Sequence, residues 1–172
     1  MKEYVQYNQA SMQKIIVIGC PGSGKSTFAK ALHSKTGLPL VHLDMLFWNA
    51  DKTTVERSVF RERLQEVLQQ EQWILDGNFS STMELRFAYC DTVFFLDYPV
   101  EVCLDGVRSR IGTQRTDLPW LETEEDPEFM EYIRNFSGSH RPQISELLEK
   151  YPSKEIHIFT GREQAEAFIN QL

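Results

Sequence analysis

The sequence predicts an α/β protein built on a parallel sheet with helices covering both faces. Three observations predict it. Short apolar runs of three to five residues alternate with stretches of helical periodicity along the 172-residue chain. Most of these runs end on Gly or Asp, the residues that close a strand and open a turn. The first run feeds a glycine-rich turn followed directly by helix-forming sequence. Apolar runs separated by helices are the pattern of βαβ units, whose strands lie buried on both sides.

The elements follow in order. Ile15-Ile16-Val17-Ile18 reads as a buried strand, and residues 26–33 as a helix that stops at Gly37-Leu38-Pro39. Leu40-Val41-His42-Leu43 is a second strand ending at Asp44. Val55, Val59, Phe60, Leu64, Val67 and Leu68 repeat at helical spacing over residues 55–70. Trp73-Ile74-Leu75 is a third strand, ending at Asp76-Gly77, and residues 82–90 form a helix. Thr92-Val93-Phe94-Phe95-Leu96 is the fourth strand, closing at Asp97. Residues 100–111 are helical, with Leu104 and Val107 inward. Residues 112–127 are polar, with an acidic run, and read as an exposed, mobile excursion. Residues 129–136 and 143–151 read as helices with a break near Gly138. Ile156-His157-Ile158-Phe159 is the fifth strand, and residues 162–169 the closing helix.

Composition limits the function. An apolar fraction of 41% suits one soluble domain, and no apolar run is long enough to cross a bilayer. Residues 1–13 read as a polar tail and 14–172 as one domain, with Met12 a possible start of the compact unit. The formal charge of −7, from 18 basic and 25 acidic residues, speaks against general attraction to nucleic acid. Cys20, Cys90 and Cys103 lack metal-ligand spacing, which points to reduced thiols and a cytoplasmic location. Oligomeric state is not encoded in any feature.

The chemistry concentrates in residues 19–27. Gly19, Gly24, Lys25 and Ser26 fill every fixed place of G-x-x-x-x-G-K-[ST], the phosphate-binding P-loop, and the strand before and helix after supply its context. Glycines let main-chain amides approach phosphate oxygens, and the helix N-terminus adds positive potential. Gly19, Pro21, Gly22, Ser23, Gly24, Lys25, Ser26 and Thr27 are therefore the expected nucleotide-binding residues. Lys25 is the expected catalytic cation, and Ser26 with Asp76 the expected Mg²⁺ site. Asp76 otherwise reads as a turn residue before Gly77, and Asp97 as a cap or turn residue ahead of Pro99. Arg110, Arg115 and Arg141, near the excursion, are expected to bring charge to the transferring phosphate; Arg108 and Arg134 are weaker candidates. Asp44, Asn78 and Arg86 are the expected acceptor-binding residues. Phe47 and Trp48 read either as core or as aromatic faces for an acceptor. His33, His42, His140 and His157 show no pairing that suggests a triad or a metal site, and His157, alternating within a strand, reads as structural.

These stretches, with His42-Leu43-Asp44, Phe47-Trp48, Asp76-Gly77-Asn78-Phe79, Asp97-Tyr98-Pro99 and Arg141-Pro142, resemble the adenylate-kinase-type P-loop kinases, and within them the DNA topology modulation (FlaR-like) proteins. The resemblance implies a three-layer P-loop NTPase fold with a five-stranded sheet in the order 2-3-1-4-5. It also implies an acceptor arm near residues 44–72 and a short arginine-bearing lid near 111–127. The activity it implies is ATP- and Mg²⁺-dependent phosphoryl transfer to a small acceptor such as a nucleoside or nucleotide. A nucleotide-binding regulatory ATPase is the alternative. Adenylate kinases carry Asp-Gly-Phe-Pro-Arg after the third strand, with the arginine on the acceptor phosphate. This chain has Ser80 at the arginine's place, and Arg86 is the nearest substitute.

Overall fold

The computed structural model describes residues 11–172. Five parallel strands form one sheet: β1 (Lys14–Gly19), β2 (Leu40–His42), β3 (Trp73–Asp76), β4 (Thr92–Leu96) and β5 (Glu155–Phe159), in the order β2-β3-β1-β4-β5. The sheet thus has the expected three-layer P-loop order. The three central strands are almost wholly buried, as apolar runs covered on both faces must be.

Among the described residues, eight helices surround the sheet: α1 (Lys25–Thr36), α2 (Leu43–Phe47), α3 (Arg57–Leu68), α4 (Ser80–Tyr89), α5 (Val100–Arg110), α6 (Pro127–Ser139), α7 (Arg141–Lys150) and α8 (Arg162–Gln171). Helix α2 is a short turn of helix where the strand reading extended to Asp44. The break between α6 and α7 falls at His140, because Pro142 starts a new first turn; Gly138 stays helical. Asp126 caps α6, accepting from the Glu128 and Phe129 amides, with Pro127 at the first position.

Phe94 on β4 anchors one side of the core. Its ring lies 5.0 Å from Phe28 of α1, 4.9 Å from His157 of β5 and 5.1 Å from Phe168 of α8. Truncating such a ring to Ala costs about 3–5 kcal/mol. This packing ties α1, which carries the phosphate loop at its start, to the sheet. Residues 1–10, most of the expected tail, lie outside the described residues. Met12 is buried, and the Gln13 carbonyl accepts from the Trp73 amide at 2.9 Å, so the last residues of that expected tail are part of the packed unit.

Register positions the chemistry. Val17 of β1 and His42 of β2 both pair with Asp76 of β3, and Gly19 pairs with Leu96 of β4. The carboxyl ends of β1, β2 and β3 therefore meet at one edge, where ligands collect in open α/β sheets.

Candidate phosphate-binding site

The loop from Gly19 to Gly24 is held from several sides. Gly22 and Gly24 have φ of 84° and 91°, a conformation that favours glycine. Gly24 is the N-cap of α1, whose first amides have no helical acceptor and attract an anion. The Asn78 side chain brackets Gly19, accepting from its amide at 3.1 Å and donating to its carbonyl at 2.5 Å. Arg162 donates to the Ser23 carbonyl at 2.9 Å and the Gly22 carbonyl at 3.1 Å. Lys25 Nζ donates to the Cys20 carbonyl at 3.3 Å, and burial lowers its pKa. A desolvated lysine beside a glycine loop gains strongly from an arriving phosphate.

Two carboxylates converge on Ser26, and a histidine holds one of them. Its hydroxyl lies 2.9 Å from Asp76 Oδ2 and 2.7 Å from Asp117 Oδ2, and His42 Nδ1 lies 2.7 Å from the same Asp76 oxygen. The hydroxyl has one proton for two carboxylate oxygens, and Asp76 Oδ1 is buried without a partner. A divalent cation would satisfy that donor set, so Ser26 and Asp76 fit the expected Mg²⁺ role. Among the described residues no group of three His, Cys, Asp or Glu closes around an ion. The parallel β2–β3 register brings His42 to Asp76.

The segment after α5 is largely exposed, as expected, but it is anchored at two buried residues. Leu118 is buried and Asp117 is only 3% exposed. The Gly112 amide donates to the Glu122 carbonyl at 2.7 Å, closing the two sides of the lid. Arg115 pairs with Asp117 and with Glu122, and Arg110 Nε lies 3.2 Å from Glu122. Burial pushes the Asp117 carboxyl up, but the Arg115 and Ser26 hydrogen bonds outweigh it and bring its pKa to about 2. Asp117 therefore ties the lid arginines to the Ser26 hydroxyl.

Arg110, Arg115, Asp44 and Asn78 line one cleft with the phosphate loop, of about 1190 Å³. Burial raises the Asp44 pKa to about 6. Two predicted residues are elsewhere. Arg86 is wholly buried and donates to the carbonyls of Gly77 (2.9 Å), Asn78 and Phe79 (3.3 Å), so it holds the turn after β3 and does not face a ligand. Arg141 donates to Asp97 at 2.7 to 3.1 Å, outside the cleft lining; Asp97 is its ion-pair partner. Phe47 and Trp48 serve both of their readings: they pack on each other at 5.5 Å and line the cleft. His42 and Asp117 were missed among the candidate site residues, whereas Arg162 follows the carboxyl end of β5, where ligands collect in such sheets. For Asp117 the available signal was an Arg-x-Asp pair in residues 115–117.

A glycine loop at the end of the central strand, a lysine and a hydroxyl–carboxylate pair, on a parallel sheet in the order 2-3-1-4-5, define a P-loop NTPase fold. The comparisons agree with that class. No family model matches the chain. Adenylate kinase of Thermotoga neapolitana is 28% identical over 122 residues, which are 67% of this chain and 54% of that protein. Adenylate kinase of Thermotoga maritima is 28% identical over 124 residues, 68% of this chain and 54% of that protein. The chain thus spans about half the length of these curated relatives. Among solved structures, shikimate kinase from Acinetobacter baumannii, in complex with shikimate, superposes with a TM-score of 0.63 at 17% identity, covering 94% of this chain and 90% of that one. Shikimate kinase from Bacteroides thetaiotaomicron gives 0.56 at 25% identity, covering 93% and 96%. The curated relatives are adenylate kinases and the structural neighbours shikimate kinases, and the superpositions agree with the fold described above.

Proposed function

We propose that this chain transfers the terminal phosphoryl group of ATP to a hydroxyl of a small acceptor. The observation that carries the reading is the convergence of Lys25, Ser26, Asp76 and the lid arginines on one phosphate loop. Phosphoryl transfer needs alignment and positive charge, and little covalent help from the protein. Residues 19–27 bind the phosphates. Lys25, Arg110 and Arg115 offset charge at the transferring group. Ser26 and Asp76 would hold Mg²⁺, which supplies charge neutralisation on the phosphate oxygens when bound. Asp44, in the same cleft, orients the acceptor hydroxyl and takes its proton. Docking of residues 111–127 excludes water.

Similarity to adenylate kinases supports ATP as donor. Three buried free cysteines support a reduced, cytoplasmic setting, and no helix among the described residues is long and apolar enough to cross a membrane. The motif pair around Asp44 and Asp76 supports kinship with the FlaR-like topology modulation proteins, whose cellular effect we ascribe to small-molecule chemistry and not to DNA contact, given the charge of −7. The test is ADP release from MgATP with and without hydroxyl acceptors. Acceptor-dependent release supports the kinase; hydrolysis indifferent to every acceptor supports the regulatory ATPase instead.

A further inference from the structure

We propose, resting on the kinase reading, that the acceptor is an uncharged compound joining a flat ring to a hydroxyl, as a nucleoside does, and not a phosphorylated or otherwise anionic one. The juxtaposition behind it is an aromatic wall beside Asp44 in a cleft whose arginines are already engaged.

The wall is continuous. Trp120 of the lid meets Trp48 at 6.0 Å, Trp48 meets Phe47 at 5.5 Å, and Phe47 meets Phe79 at 5.0 Å. All four rings line the cleft, and none is fully buried. Edge-on ring contacts leave faces on which a flat ligand stacks.

The arginines of the cleft and Lys25 are otherwise occupied, and the two remaining lysines, Lys30 and Lys52, are exposed. Lys25 and Arg162 serve the phosphate loop. Arg110 and Arg115 pair with Glu122, and Arg115 also with Asp117. Lys52 lies over the Trp120 ring at 5.0 Å. Lys30 is exposed on α1, one turn beyond Ser26. Arg86, the cation nearest the turn after β3, spends its donors on three main-chain carbonyls. An acceptor phosphate near Asp44 would also face Asp76 and Asp117, which already repel that carboxylate.

The experiment uses the wild-type chain, saturated with MgADP, and follows tryptophan fluorescence. Adenosine, guanosine, cytidine and thymidine are titrated against their 5′-monophosphates. At least one nucleoside is expected to bind about tenfold tighter than its monophosphate, and to drive ADP release from MgATP. Trp48→Leu should weaken that nucleoside by about tenfold, the size of one lost aromatic contact. Monophosphates binding equally or better, or no nucleoside binding while MgADP still binds, overturns the proposal. Failure of MgADP and MgATP themselves to bind is a separate result: it removes the kinase reading first.

Discussion

Gly106 of α5 lies against Gly22 of the phosphate loop. A Cβ on Gly106 would stand 2.0 Å from the Gly22 carbonyl oxygen, and a Cβ on Gly22 would stand 2.0 Å from the Cys103 carbonyl oxygen. Main chain therefore packs on main chain, and α5 sets the shape of the loop from behind. Gly106→Ala is a favourable helix substitution by propensity alone. Here it forces the loop away from α5. The expected result is at least tenfold weaker MgATP binding by calorimetry, on the scale of about 1.4 kcal/mol, together with a lower melting temperature.

Lys25 is the simplest test of the chemistry. Lys25→Ala removes a desolvated cation whose burial disfavours its charge. Phosphoryl transfer should fall by about 10²–10³-fold, as for loss of one preorganised charge-stabilising group. The melting temperature should hold or rise, since the variant no longer buries an ammonium group. A variant that melted early would assign Lys25 to the fold instead.

Asp44 gives a pH signature. An unfolded aspartate holds its proton only to about pH 4, whereas burial carries that of folded Asp44 to about pH 6. The folded chain thus binds the extra proton between those values, and this group makes stability fall as pH rises through the window. Asp44→Asn should leave melting unchanged at pH 4 and raise it above pH 6. In the wild type, kcat/KM should rise with pH through about 6 as the base ionises, and that limb should vanish in the variant.

Arg86 makes the opposite prediction from the one its sequence position suggests. It is wholly buried, with burial lowering its pKa to about 9 and its nitrogens on three carbonyls. Arg86→Met leaves those carbonyls without donors, at roughly 1–3 kcal/mol for each group stranded from water. Chemical denaturation should show a loss of that order. The acceptor KM, measured well below the melting point, should change little by comparison.

Asp117 and Ser26 couple the lid to the loop. Asp117→Asn weakens the hold on Arg115 and keeps the size of the side chain. Limited proteolysis across residues 111–127 should accelerate in the variant, and kcat should fall more than ATP affinity. An unchanged cleavage rate would show that the lid is held by Trp120 and Leu118 alone.

The phosphate loop and the sheet were legible because their signals are contiguous. Residues 19–26 carry their own geometry, and β4 is five buried residues in a row. His42 and Asp117 were not, since each acquires its role from something distant. His42 depends on the β2–β3 register, and Asp117 on the contact of its segment with Ser26. Arg86 shows the same limit in reverse. Its spacing after Phe79 is compatible with a ligand or with carbonyls, and only the turn of Gly77 and Asn78 beneath α4 decides between them. The lid read as exposed because its composition is polar, but its charges pair with one another over a buried Leu118.

The most direct measurement is isothermal calorimetry of MgATP on the folded chain and on Lys25→Ala. A single site in the wild type, weakened in the variant and lost when Mg²⁺ is chelated, is the predicted result. No heat of binding from the wild type in the presence of Mg²⁺, with its fold verified by circular dichroism, would contradict the account at its root.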